Sequence, residues 1–242
     1  MIQFYAPDIE SNPVLPPGES LHCAKVLRLG SGEKIQVIDG RGHIYRCTIL
    51  EPNQKHTLVA VDSVEPAPLP WTQELTVAVA PTKHMDRMEW MVEKLTEIGV
   101  NRIIPLLCER SERRELKTER LEKIAVSAMK QSLKAVLPVI EPLTPVAKAI
   151  RLTAQGQRYI AHCDASAPRR LLACEYAPGT SAAIFIGPEG DFSPAEVRAA
   201  LGAGFVAVSL GDNRLRTETA AVSAVDTFHI LDMAAQCAVN KS

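Results

Sequence analysis

The feature that most restricts the fold of this chain is a change of hydrophobic rhythm near residue 71. Short runs of β-type residues precede it, and about 170 residues in which strands alternate with helices follow it. Alternation of that kind is satisfied by a mainly parallel sheet covered by helices on both faces, because each parallel strand needs a crossover to reach the next. The change falls at Glu65-Pro66-Ala67-Pro68-Leu69-Pro70-Trp71. Three prolines so close together support neither a helix nor a central strand, so the stretch reads as a linker. The expected division is a small domain over residues 1–68 and a larger one over 72–242.

In the first part, residues 34–38, a turn at Asp39-Gly40-Arg41-Gly42 and residues 43–49 read as strand, turn, strand. Residues 57–61 add a strand, Gln3-Phe4-Tyr5 opens the chain, and a short helical stretch runs from about Leu21 to Leu27. The sum is a small β-barrel with a modest core. Barrels of this size often bind RNA, which is a fold-level analogy only. In the second part, a buried strand at 75–80 ends at Pro81, and Asp86 with Glu89 resembles a capping box. Met88, Met91, Val92, Leu95 and Ile98 then mark one helical face that ends at Gly99. Further strands are expected at 102–107, 158–162, 181–186 and 205–210. Helices are expected after Thr118, after Ser193-Pro194-Ala195-Glu196, which holds a cap, a first-turn proline and a glutamate at the right offsets, and from Thr217 to about Cys237.

Composition removes whole classes of function. The 242 residues are 46% hydrophobic and 23% charged, with 13 glycines and 17 prolines, which excludes collagenous and disordered chains. No uncharged stretch approaches the roughly 20 apolar residues of a membrane span. The first residues lack the basic and continuous apolar regions of a signal peptide, so a cytoplasmic location is expected. Six cysteines without a C-x-x-C pair read as small hydrophobes, with neither disulfide nor zinc expected. A net charge of −1 argues against a broad basic surface, yet residues 102–134 carry nine basic against five acidic side chains. That local excess could meet phosphate, or could be a solvated helix face.

Chemistry is expected beyond the carboxyl ends of parallel strands. Two loops there are unusual. Gly187-Pro188-Glu189-Gly190-Asp191-Phe192 runs from a strand into a well-capped helix, and Gly211-Asp212-Asn213-Arg214-Leu215-Arg216-Thr217-Glu218-Thr219-Ala220 repeats the strand, loop, helix arrangement. Glycines allow close backbone approach, and the free amides of a helix start can bind a polar ligand. The spacing does not match a dinucleotide fingerprint, and no phosphate-binding G-x-x-x-x-G-K-[ST] or G-x-S-x-G elbow occurs. His162-Cys163-Asp164 is not a Cys–His pair by itself, since neighbours on a strand point to opposite faces. The six histidines have no metal-ligand spacing.

Ile186-Gly187-Pro188-Glu189-Gly190, then Leu210-Gly211 and Leu215-Arg216-Thr217-Glu218-Thr219-Ala220, resemble the SPOUT class of S-adenosylmethionine methyltransferases. Among these, the chain is similar to the bacterial family that methylates N3 of a uridine in 16S ribosomal RNA. The likeness extends to Lys83, Glu89, residues 93–100, Glu109-Arg110-Ser111, Gln131-Ser132, His22 and residues 26–29. It implies an α/β fold whose parallel sheet carries a carboxy-terminal trefoil knot, preceded by a PUA-like β-barrel. It further implies a homodimer acting on 16S rRNA or the small ribosomal subunit, without membrane or metal, and S-adenosyl-L-methionine as cofactor. Carried over by position, His162, Cys163, Ile186, Gly187, Pro188, Glu189, Gly190, Leu210, Gly211, Leu215, Arg216, Thr217 and Ala220 would line the cofactor site. Arg216 would be the cation that stabilises a uracil anion or meets phosphate, with Glu218, and next Asp191, as candidate bases. Arg28, Arg110, Arg113 and Lys134 are the candidate RNA contacts. The chain departs from the family pattern at Asp191, where many relatives carry glycine, and at Lys130-Gln131-Ser132-Leu133-Lys134, where many carry an acidic-x-x-Gly-Arg run. Two other readings remain: the same cofactor chemistry on a ribose 2′-oxygen or a tRNA, and a non-catalytic RNA-binding or ribosome-assembly protein.

Overall fold

The computed structural model describes residues 2–163 and 168–239. It divides into two compact units, Met1–Trp71 with Val126–Leu137, and Thr72–Ala125 with Pro138–Ser242. A boundary at the prolines anticipates the first break in the chain but not the return of residues 126–137 to the amino-terminal unit.

That unit contains β1 (Gln3–Tyr5), α1 (Pro17–Leu21) continued by a π-helical turn at His22–Val26, β2 (Lys34–Ile38), β3 (His43–Glu51) and β4 (Leu58–Pro66). The strands form one sheet in the order β1-β2-β3-β4, parallel between β1 and β2 and antiparallel elsewhere. Alternate residues of β3 (Tyr45, Cys47 and Ile49) turn inward onto Phe4, Ile9, Leu15, Val37 and Val59. Strand β4 runs into the proline stretch as far as Pro66, further than expected. Apart from a bridge from Leu58 to Val14 at its start, β4 pairs with β3 on one side, and near its end an edge strand tolerates proline because the missing N–H costs no ladder bond on its free side. Residues 126–137 supply Met129 and Ala135, which pack against Ile38, Tyr5, Ile44 and Leu137. Lys130 is anchored in the same unit by Glu19, at 2.6 Å.

The tight turn between β2 and β3 is built on one carboxylate. Asp39 accepts hydrogen bonds from the amides of Arg41 (2.7 Å) and His43 (3.1 Å) and lies 2.9 Å from the His43 ring Nδ1. Gly40 at φ 76° leaves no room for a side chain, since a Cβ there would sit 2.9 Å from the Tyr5 ring. Burial alone would raise the Asp39 pKa, but the hydrogen bonds to Arg41 and His43 outweigh it and hold the carboxyl below its ordinary value. A depressed folded-state pKa means that the carboxylate stabilises the fold above its ordinary pKa and loses that contribution as pH falls through the folded value. Asp39→Ala should therefore cost about 1–3 kcal/mol near neutrality. In urea titrations followed by circular dichroism, the gap to the unmutated protein should narrow as pH drops below 4.

The second unit alternates as β5 (Leu75–Val79), α2 (Met85–Ile98), β6 (Arg102–Leu107), α3 (Glu119–Gln131, whose end belongs to the first unit), β7 (Val139–Ile140), β8 (Thr144–Pro145), α4 (Val146–Leu152), β9 (Gln157–Ala161), β10 (Arg170–Leu171), α5 (Leu172–Glu175), β11 (Ala182–Ile186), α6 (Pro194–Gly202), β12 (Val206–Ser209) and α7 (Thr217–Val239). Every pairing is parallel, in the order β10-β12-β9-β11-β5-β6-β7, with β8 beside β6. The central strands β5 and β11 are buried throughout, as both covered faces require. On one face Ala78, Ile104, Leu106, Ile160 and Phe185 meet Val146 and Ala149 of α4, Ala200 of α6, and the rings of Phe192 and Phe205. Helix α7 covers β5 and β11 from its own side and packs on α2. Asp232 of α7 is buried and takes hydrogen bonds from the Tyr176 hydroxyl (3.0 Å), the Gly179 amide (2.6 Å) and Gln73.

The capping box at Ser193 and Glu196 is complete, whereas the one expected at Asp86 and Glu89 does not form. Helix α2 starts after His84 without a side-chain cap, and Glu89 instead pairs with Arg120 at 2.6 Å. Among the described residues no helix is long and apolar enough to cross a membrane.

Candidate functional site

Strands β12, β9 and β11 lie side by side, so the loops that leave their carboxyl ends converge. Between those loops is a cleft of about 600 Å³, within the size range of small-molecule sites. His162 and Cys163 border it after β9. Ile186, Gly187, Pro188, Glu189 and Gly190 border it after β11, and Leu210, Gly211, Leu215, Arg216, Thr217 and Ala220 after β12. All thirteen residues expected around a cofactor thus face one cavity. Glu218 and Asp191 line it too, together with Arg87, Arg169, Asn213 and Arg214. Asp164 lies outside the described residues.

Side chains tie the loops to each other. The Thr217 hydroxyl, at the start of α7, donates to the Gly187 carbonyl at 3.1 Å, joining the two sequence motifs directly. The Lys83 amide, in the loop after β5, donates to Glu189 at 3.2 Å. Asp191 has a left-handed backbone, φ 62°, a conformation that aspartate tolerates better than most side chains. Its carboxylate accepts from the Cys163 amide (2.9 Å) and from the Phe192 amide (2.8 Å), so it spans from the β11 loop to the β9 loop.

The wall mixes apolar surface from Ile186, Leu210, Leu215 and Ala220 with backbone polar groups at the glycines. Gly211 has φ 117° and nothing within 4 Å of where a Cβ would project, which leaves its backbone open to approach. Carboxylates and guanidiniums share the rim: Glu218 is buried, with the Arg87 guanidinium 3.8 Å away, while Arg216, Arg214 and Glu189 are exposed. Arg87 and Arg169 escape a motif-based reading because each comes from outside the two loops. Only Arg87's place in the first turn of α2, beyond a strand end, could have signalled it. No cluster of His, Cys, Asp or Glu among the described residues could hold a metal ion.

The four basic residues expected to meet RNA are not gathered at this cleft. Arg28 is exposed in the amino-terminal unit, with φ 56°, and Lys134 is half-buried in the same unit. Arg110 and Arg113 belong to the second unit, and both direct guanidinium donors to backbone. Arg113 reaches the carbonyls of Thr82 (3.2 Å) and Lys83 (2.8 Å), and Arg110 those of Gly190 (3.1 Å) and Phe192 (3.4 Å).

Residues 69–229 match the family model described as RNA methyltransferase domain. The chain belongs to the RNA methyltransferase family. Residues 15–62 match a second model, the RNA methyltransferase PUA domain, which lies in the amino-terminal unit. A probable rRNA-methyltransferase from Porphyromonas gingivalis is 46% identical, with a TM-score of 0.93 over 97% of this chain and 100% of that one. The Ribosomal RNA small subunit methyltransferase E of Aquifex aeolicus is 29% identical over 92% of this chain and 96% of its own. The Neisseria gonorrhoeae protein of the same name, solved bound to S-adenosyl methionine, is 25% identical, with a TM-score of 0.81 over 96% of this chain and 98% of that one.

In the turn after β11 of this RNA methyltransferase family member, the tightest point is Gly187. A Cβ there would lie 3.0 Å from the Phe192 ring and 3.2 Å from its amide. Gly187→Ala should lower stability by about 1–3 kcal/mol through overpacking, read as a shift of the urea midpoint with an unchanged slope.

Proposed function

We propose that the protein is an S-adenosylmethionine-dependent methyltransferase that methylates N3 of a uridine in 16S rRNA of the small ribosomal subunit. The observation that carries this reading is the convergence of the two loops, 187–190 and 215–220, on one cleft, with Thr217 bonded to Gly187. Its residues fit the cofactor. Apolar walls suit an adenine, open backbone at Gly211 suits its polar edge, and the Glu189 and Glu218 carboxylates favour a nearby sulfonium cation. When bound, S-adenosylmethionine supplies the methyl group.

The chain's own residues have two tasks. One is to align the acceptor, since in-line displacement at carbon depends on alignment for much of its rate. The other is to deal with the proton on uridine N3, whose neutral form is a poor nucleophile. Glu218 is assigned as the base: it is buried at the cleft wall, and the Arg87 guanidinium stands off from it at a loose 3.8 Å. Arg216, exposed at the rim, is assigned to the anion that develops on the uracil or to a flanking phosphate. His162, Cys163, Ile186, Gly187, Pro188, Glu189, Gly190, Leu210, Gly211, Leu215, Thr217 and Ala220 hold the cofactor.

In the same reading, the amino-terminal unit binds rRNA through Arg28 and Lys134. The active species is a homodimer in the cytoplasm, residues 1–68 with 126–137 act as the RNA-binding part and the rest of 72–242 as the catalytic part, and the chain after β12 is threaded as a trefoil knot.

Labelled S-adenosylmethionine and unmodified small subunits, followed by mass spectrometry of the nucleosides, test the proposal. N3-methyluridine is the expected product. A ribose-methylated nucleoside would overturn the acceptor, and cofactor binding without product on subunits, naked rRNA or tRNA would overturn catalysis. Arg216→Ala should lose turnover by about two orders of magnitude while cofactor affinity changes little. Full turnover in that variant would remove Arg216 from the mechanism.

A further inference from the structure

We infer that Arg110 and Asp191 form a two-sided brace that holds the 187–190 turn in its cofactor-binding shape, which makes both positioning residues and takes Arg110 away from RNA. This rests on the cofactor reading of the cleft. The turn leaves β11, and its carbonyls lack the ladder partners that a strand would give them. Arg110, in the loop after β6, supplies those partners on one side, donating from one guanidinium nitrogen to the carbonyls of Gly190 and Phe192, the two residues that flank Asp191. Asp191 supplies the link on the other side, accepting from the Cys163 amide beyond β9. Strand β11 stands between β9 and the β5–β6 pair, so the two links pull on the turn from opposite directions along the sheet.

The brace reaches further than its own bonds. Phe192 is buried and fills the space where Gly187 would carry a Cβ, 3.0 Å away. Gly187 in turn receives the Thr217 hydroxyl. Fixing Phe192 therefore fixes Gly187, and Gly187 registers the start of α7, which carries Glu218 and follows directly on Arg216. Gly190 is closed in as well: a Cβ on it would meet the Arg110 Cβ at 3.4 Å. A planar guanidinium suits this task, because the two N–H bonds of its terminal nitrogen are fixed in the guanidinium plane and can meet two carbonyls in set directions, whereas a lysine ammonium rotates freely. Aspartate at 191 suits the other end, since it accepts the left-handed backbone and adds an acceptor that glycine lacks.

Titration calorimetry with S-adenosylhomocysteine, and filter binding of naked small-subunit rRNA at several salt concentrations, separate this role from a phosphate contact. Arg110→Ala and Asp191→Gly should each weaken S-adenosylhomocysteine binding about tenfold. The double variant should fall short of the product of the two, because both act on one turn. Asp191→Gly keeps the left-handed backbone unstrained, and comparison with Asp191→Asn, which is a side chain of the same size, separates the lost carboxylate from glycine's added backbone freedom. Asp191→Asn, which retains one acceptor oxygen, should recover part of the affinity, and Arg110→Lys should lie between alanine and arginine. RNA affinity and its salt dependence should stay within about twofold of the unmutated protein in Arg110→Ala. S-adenosylhomocysteine affinity within twofold of the unmutated protein in both single variants would overturn the brace. A fall in RNA affinity with a salt slope shallower by about one would put Arg110 on a phosphate instead. If the unmutated protein itself fails to bind S-adenosylhomocysteine, the cofactor reading falls and the brace with it.

Discussion

The hydrogen bond from the Thr217 hydroxyl to the Gly187 carbonyl, 3.1 Å long, joins two segments that the chain separates by an entire helix and strand. Gly187 follows β11 directly and Thr217 begins α7, so the bond closes the cleft at the point where the carboxyl ends of neighbouring strands present their loops. The rest of the second unit serves that closure. Buried β5 and β11 give the turn a rigid base, Phe192 packs behind it, and the capping box at Ser193 fixes where the next helix departs. Because the donor is a threonine already buried at a helix start, the bond is shielded from competing water.

Much of this was legible in the sequence wherever a residue's local chemistry matched its place in the fold. Ser193-Pro194-Ala195-Glu196 capped the helix that its spacing predicts, strand 102–107 appeared unchanged, and every residue assigned to the cofactor from the two loop motifs borders one cleft. Failures fell where a distant partner overrode the local pattern. Glu89 had the spacing of a capping partner for Asp86 but went to Arg120, thirty-one positions later, because an available guanidinium is a stronger partner for a carboxylate than a neighbouring amide. Strands of two residues, β7, β8 and β10, carry no period at all and exist only because a longer neighbour offers a ladder. The charge excess over residues 102–134 was real, but charge alone does not distinguish a guanidinium that faces solvent from one committed to backbone carbonyls, as in Arg110 and Arg113.

Asp191 shows how a departure from a family pattern becomes readable once the backbone is known. A left-handed φ is the conformation that glycine adopts most easily, and the carboxylate here puts it to a second use, at the cost of some strain that its two amide partners offset. The position is therefore constrained by conformation first and by side-chain chemistry second.

Helix α3 begins among the residues of one unit and ends among those of the other, and its last turns with the segment to Leu137 complete the apolar cluster around Ile38 and Tyr5. Severing the polypeptide at the prolines would thus yield an amino-terminal fragment with a bare apolar face and a carboxy-terminal one with an unmatched Met129 and Ala135. The amino-terminal unit is not a cassette that gene fusion could lift out whole. Its exchange between proteins would have to carry along residues 126–137 from the middle of the chain, which ties the inheritance of the two units together.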